Sequence, residues 1–314
     1  MTIPRRSPYP GAPFQLSALT LQVPSSRGPA QRSLAVASLR RARDIGVTTF
    51  EIEPGAGAGP CEAVLAEAFP QGDRELVVLT PEASADVSQA GRSEGNPPLA
   101  ADREVRSAAA GPRFRRLVTV SLSDRPAGRP LKGAPFPSPG ELEPLPRVLL
   151  CRRPEDLPRV RDAPRPWLLS GPYSLLEPRL ADRALEELGE GEFAWVARDP
   201  FASGRLDATR FAPGLLEPPG GGPRSLRELE AEFRPILGLS YLTRPRQRTL
   251  AQAALRFVVD QPWVATTCLD VPAPERWNEL LGYESAPALT EQERALARVD
   301  AGSGPPSAIA RSVP

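Results

Sequence analysis

No histidine occurs anywhere in the 314 residues. That absence excludes Ser-His-Asp and Cys-His nucleophile systems, His-ligated metals and imidazole acid–base chemistry near neutral pH. Lysine is nearly missing as well. Lys132 is the only one among 39 basic residues, the rest being arginine, so it stands alone as a Schiff-base candidate. The three cysteines, Cys61, Cys151 and Cys268, are far apart and odd in number. They suit reduced thiols in a cytoplasmic protein rather than a disulfide framework. No run approaches the ~18 apolar residues of a membrane span. Arg5 and Arg6 near the N-terminus have no apolar stretch behind them, so no secretory signal is expected. A formal net charge of +1 gives no electrostatic pull toward nucleic acid or a membrane surface.

Proline and glycine are plentiful instead, at 40 and 25 residues, a content below that at which disorder becomes the default. Short apolar runs alternate with amphipathic stretches from end to end. Strands are expected at 19–23, 48–53, 75–80, 117–122, 147–151, 167–170, 193–197 and 264–269. Helices are expected at 29–45, 61–69, 100–109, 154–161, 178–188, 225–237 and 249–260. This alternation indicates βαβ units and a parallel sheet. Eight such strands in a chain of this length favour a closed (β/α)8 TIM barrel over an open sheet. The chain is expected to form one domain over 1–314, ordered from about 14 to 300 with flexible tails. The Pro/Gly-rich stretches 124–146 and 213–223 read as loops, and 301–314 as an unstructured tail.

The strand ends carry a resemblance. Residues 14–23, FQLSALTLQV, are similar to the opening LKVSALGLGT of the aldo-keto reductases. Residues 38–51, SLRRARDIGVTTFE, match the family's ALRRALDLGVNFFD, and Gly57, Gly59, Cys61 and Glu62 keep the spacing of its YGxGxSE segment. Gly204 in DPFASGRL resembles the SPLAxGxL turn, and residues 248–257, RTLAQAALRF, resemble the helix RTLAQAALRW. The order and spacing of these pieces cover nearly the whole chain.

That resemblance implies carbonyl reduction with NADPH by an Asp, Tyr, Lys and His tetrad, with tyrosine as proton donor. Carried over position by position, the aspartate falls on Glu51 and the tyrosine on Ala56. The lysine falls on Pro81 and the histidine on Ser121. Alanine has no proton to give and proline no cation, so the family reaction lacks its general acid. The cofactor positions have changed too. The Ser-Asn pair that holds the nicotinamide amide falls on Cys151 and Arg152, and the ring that stacks on nicotinamide falls on Arg198. The phosphate-gripping positions fall on Asp270 and Pro272.

The expected function is a catalytically degenerate aldo-keto-reductase-like barrel that acts as a binding or regulatory protein. NADPH is not expected to bind tightly; a small-molecule ligand at the barrel mouth is. Two alternatives stay open: a divergent NADPH-dependent oxidoreductase, and a redox-free isomerase or lyase using Glu51. Glu53 shares the face of Glu51, and Asp199 closes the seventh strand, so both join the rim carboxylates. Arg152, Arg198 and Asp199 together form a candidate pocket for an anionic molecule. With Pro81 where the lysine was, Glu51 is expected to be an unpaired buried acid unless Arg152 or Arg198 swings in. Tyr173 is expected to wall the barrel mouth.

Overall fold

Alternation of side chains decides how the strands close. In Phe193–Arg198, for example, Phe193, Trp195 and Ala197 belong to the core outside the sheet, whereas Ala194 and Val196 face its interior. The computed structural model describes residues 3–10, 12, 14–24, 28–52, 58–73, 75–81, 114–122, 147–161, 163, 165–207, 225–243, 247–271 and 276–303. Two short strands come first, β1 (Arg5–Arg6) and β2 (Leu16–Ser17), paired antiparallel. Then follow β3 (Leu19–Val23), β4 (Thr49–Ile52), β5 (Val77–Pro81), β6 (Arg115–Ser121) and β7 (Arg147–Leu150). The last are β8 (Trp167–Pro172), β9 (Phe193–Arg198) and β10 (Val264–Leu269). Strands β3 to β10 form a closed barrel, each parallel to its neighbours, and β10 pairs back onto β3. This is the expected (β/α)8 barrel.

The helices fall where the 3.6-residue period put them. They are α1 (Pro29–Asp44), α2 (Ala58–Ala68), α3 (Leu157–Val160, after a 3-10 turn at Pro154–Asp156) and α4 (Arg179–Leu188). Next come α5 (Leu226–Gly238) and α6 (Leu250–Val259). Helix α1 buries Ala35, Val36, Leu39 and Ala42, one stripe along its length, and has proline in its first turn. A reciprocal cap starts α6: Thr249 Oγ1 accepts from Gln252 N at 3.2 Å, and Gln252 Oε1 accepts from Thr249 N at 2.9 Å.

Some expectations are corrected. Helices α7 (Trp277–Leu281) and α8 (Glu291–Ser303) were not foreseen, and α8 carries regular structure into the stretch read as an unstructured tail. The reason is a second reciprocal cap, Thr290 with Glu293, plus Ala297 buried against the core. The opening run 14–23 divides between β2 and β3. Its first part, with Phe14 and Leu16, joins Val77, Leu117 and Val148 in the lumen core. Ser17 Oγ accepts from the backbone N–H groups of Thr48 and Thr49, both at 3.0 Å. The β1–β2 hairpin thus seals the N-terminal end of the barrel, leaving chemistry to the opposite end. The expected helix at 100–109, the loops at 124–146 and 213–223, and Lys132 lie outside the described residues.

One packing detail needs glycine. A Cβ on Gly171 in β8 would sit 2.6 Å from the Cys151 carbonyl oxygen and 2.8 Å from the Trp195 ring. Trp195 Nε1 donates to the Gly171 carbonyl at 3.2 Å, which pins the ring there. Gly171→Ala is therefore expected to destabilise the fold by about 3 kcal/mol, read from the midpoint of chemical denaturation. A change within about 0.5 kcal/mol would show that the ring can move aside.

Candidate functional site

In a parallel barrel the C-terminal strand ends and the loops beyond them carry the chemistry. Phe50 and Ile52 of β4 pack in the outer core, so Glu51 between them points into the lumen. The same alternation turns Thr119 and Ser121 of β6, Ser170 of β8 and Arg198 of β9 inward. Cys268 of β10 lies in the lumen core. The upper lumen is thus polar, above a lower part filled by Leu117, Val148, Leu168 and Val196.

Arg198 reaches across this space, past the two intervening strands β10 and β3, to Glu51. Its Nη1 donates to Glu51 Oε2 at 2.9 Å, its Nη2 donates to Glu51 Oε1, and its Nε donates to Ser170 Oγ at 2.7 Å. Gln22 Nε2 lies 3.5 Å from Glu51 Oε2. The carboxylate is 1% exposed and the arginine side chain 15%. Burial works against the guanidinium charge, but Glu51 more than restores it, and the net effect holds Arg198 above the ordinary arginine range. Glu51 is therefore a fully paired acid, which corrects the picture of an orphaned carboxylate. The partner comes from β9, and a long side chain spans what a lysine on β5 would otherwise have to supply. Sequence reading named Arg198 as able to swing in; only closure of the barrel put it there.

The other expected residues disperse. Ser121, in the histidine's place, has a buried hydroxyl with no hydrogen-bond partner, as does Thr119 below it. Pro81 ends β5, in register with Thr119. Ala56, Glu53 and Pro272 lie outside the described residues. Cys151 faces the outer core, with its thiol 3.8 Å from the Leu149 carbonyl oxygen, and burial pushes that thiol well up. Arg152 is exposed, and its backbone N–H donates to the buried carboxylate of Asp156 at 2.8 Å. Of the expected group of Arg152, Arg198 and Asp199, Arg198 turns inward to Glu51 and Ser170, and Asp199 turns to Ser203.

Asp199 starts a tight turn. Its carboxylate accepts from Ser203 N at 2.6 Å and from Ser203 Oγ at 3.2 Å. Burial and the nearby Glu177 push its carboxyl up to about 6, against the pull of the Ser203 hydrogen bonds. Asp270, beyond β10, is also raised, by burial and by Asp207. Asp207 itself is held by Arg276 at 2.5 Å.

Cys268 is buried in the lumen core, and burial together with the nearby Glu51 carboxylate raises its thiol strongly. Tyr173, expected at the mouth, is fully buried outside the barrel. It stacks on Phe257 at 5.3 Å and meets Trp263 at 4.9 Å, with its hydroxyl 3.5 Å from Arg298. Its backbone continues outward from β8, which a linear pattern does not reveal. Among the described residues no helix is long and apolar enough to cross a membrane.

No protein-family model matches the chain, and no curated protein sequence matches it. Solved structures do. An aldo-keto reductase from Bacillus halodurans in its holo form is 14% identical with a TM-score of 0.62, over 95% of this chain and 96% of that one. A glycerol dehydrogenase from Gluconobacter oxydans is 15% identical with a TM-score of 0.62, over 99% and 98%. At such identity the likeness is one of architecture, and it agrees with the resemblance read from the strand ends: this chain has the barrel fold of the aldo-keto reductases.

Proposed function

We propose that this barrel does not reduce carbonyls and acts as a small-molecule binding or regulatory protein built on an aldo-keto-reductase fold. The observation that carries this reading is the buried Glu51–Arg198–Ser170 network across the lumen. A proton donor for a carbonyl must be a neutral acid placed at the mouth. Here the donor position falls on Ala56, and the aspartate position holds the Glu51 carboxylate, engaged by both Arg198 Nη atoms. Of the other lumen-facing groups, Ser121, Thr119 and Ser170 are hydroxyls that ionise far from neutrality, and burial with the nearby Glu51 carboxylate pushes the Cys268 thiol well up. The same network counts against a redox-free enzyme with Glu51 as base, because both carboxylate oxygens are occupied until Arg198 leaves.

The residues present do not fit NADPH. The stacking position holds Arg198, committed to Glu51. One amide position holds Cys151, whose side chain faces the outer core, and the phosphate position holds Asp270 beside a second acid, Asp207. The Asp270 carboxylate next to a phosphate is repulsive, Asp207 being paired with Arg276. NADPH titrated into the purified chain by calorimetry is expected to bind more weakly than ~100 μM, about −5.5 kcal/mol or less. Saturation at low micromolar cofactor would instead favour the divergent oxidoreductase.

A further inference from the structure

Arg198 closes the lumen, and the residue after it opens a strained turn. Asp199, Ala202 and Ser203 hold φ of +52, +50 and +57°, and Gly204 follows at +77°. A residue with a Cβ enters that region only under constraint, and three within five positions store a tendency to relax. The constraints are specific. Ala202 N donates to the Asp199 carbonyl at 3.0 Å, Leu206 N donates to the Phe201 carbonyl at 3.0 Å, and Ala202 and Leu206 are buried. The Asp199 carboxylate holds Ser203 at both N and Oγ. The charged groups facing Asp199 are Glu177, from the connection between β8 and α4, and Arg205, from the turn itself. Those two pair with each other at 3.3 Å, and Arg205 Nε also donates to the Ala202 carbonyl at 2.8 Å.

We propose that the turn at 199–204 is a hinge whose release withdraws Arg198 from Glu51 and opens the polar upper lumen, with Ser170 and Cys268, to small molecules. The hinge responds to pH, and its sign follows from burial. In the closed turn the Asp199 carboxyl is pushed up to about 6. In an open turn it is solvated and returns toward the ordinary value of about 4. Ionisation therefore favours the open state: the mouth stays closed below about pH 4, and opening increases as pH rises through about 6. Two full units would change the opening constant about a hundredfold; partial solvent screening reduces the expected effect to about tenfold. The hinge rests on the proposed binding role, in which a small molecule enters the lumen. The opening itself needs no ligand, so a failed NADPH prediction leaves it standing.

Cys268 reports the opening, because it is buried in the lumen against Glu51, whereas Cys61 and Cys151 are buried in the outer core and report global unfolding. The folded full chain is treated with dithiodipyridine, which reacts with thiols at acid as well as neutral pH, and the sites are located by peptide mass spectrometry. At about pH 8, Cys268 is expected to react at least about tenfold faster than Cys61. Asp199→Asn keeps a residue tolerant of the left-handed region and still able to accept from Ser203, but it cannot ionise. It is expected to slow Cys268 about tenfold at about pH 8 and to match the wild type below about pH 4, with Cys61 unchanged. Equal rates at Cys268 and Cys61 in the wild type would overturn the proposal, as would an Asp199→Asn rate unchanged at the higher pH. In Arg198→Ala, Cys268 is expected to react fast at both pH values; slow reaction there would show that Arg198 is not what shields the lumen.

Discussion

Arg198→Met is expected to destabilise the protein by about 3–5 kcal/mol, because it leaves the Glu51 carboxylate buried at 1% exposure without its cation. Glu51→Gln, which would be neutral or stabilising for an orphaned acid, is expected to cost about 3 kcal/mol for the converse reason: the guanidinium loses a charged acceptor. The double variant Glu51→Gln with Arg198→Met removes both charges together and is expected to recover about half or more of the Arg198→Met loss. A buried pair often does no better than apolar groups of equal volume, whereas half of a pair is always costly. Denaturant midpoints of the four proteins form a cycle that reads the coupling directly. Additive losses, with no recovery in the double variant, would mean that the two side chains do not depend on each other. If Glu51→Gln were neutral, the carboxylate would have to be solvated or protonated already.

Arg248→Ala is expected to cost about 3–5 kcal/mol, and Arg248→Lys nearly as much. The guanidinium, almost wholly buried, joins three separated segments. Its Nε donates to the Leu242 carbonyl at 2.7 Å and its Nη1 to the carbonyls of Pro287 and Ala288 at 2.9 and 3.0 Å, while Nη2 reaches Glu293. A lysine ammonium has too few donors in the wrong geometry to satisfy acceptors lying in two directions, so three buried carbonyls would be left partly unpaired. The 3-10 helix at Leu239–Thr243, the approach to α8 and the start of α6 should loosen together. Hydrogen exchange across these segments is the direct measurement. A Lys variant as stable as the wild type would show that charge, and not the arginine fork, is what the site uses. Residues 248–257 form the stretch most similar to the aldo-keto reductase helix, and in this structure Arg248 supports the scaffold rather than the mouth.

The eight barrel strands and six of the eight helices among the described residues were legible because their signals are local. A strand such as Val264–Leu269 is a short β-branched run bounded by turn residues, and α1 and α4 bury stripes spaced by one helical turn. The absence of histidine was equally plain, since a missing functional group needs no geometry to be missed. Helix α7 escaped because five residues carry too little periodicity, and α8 because its start depends on the Thr290–Glu293 cap. The turn after β9 gave a misleading sign: Asp199, Ala202 and Ser203 are not glycines, yet surrounding contacts hold them where glycine would be usual.

What the sequence by itself determined is the barrel, the order of its strands, and which end could carry chemistry. It also determined that no imidazole is available anywhere in the chain. What only the tertiary structure decided is the state of the groups that remain. Glu51 and Arg198 are 147 residues apart and on strands that are not neighbours, so their pairing exists only once the sheet has closed and the lumen has shed its water. The same closure turned Cys151 outward, brought Cys268 against Glu51, and raised Asp199 by burying it. Periodicity records which face a residue takes along its own strand. The charge it meets across the lumen depends on register, strand tilt and side-chain reach, which arise from the whole barrel and from no segment of it.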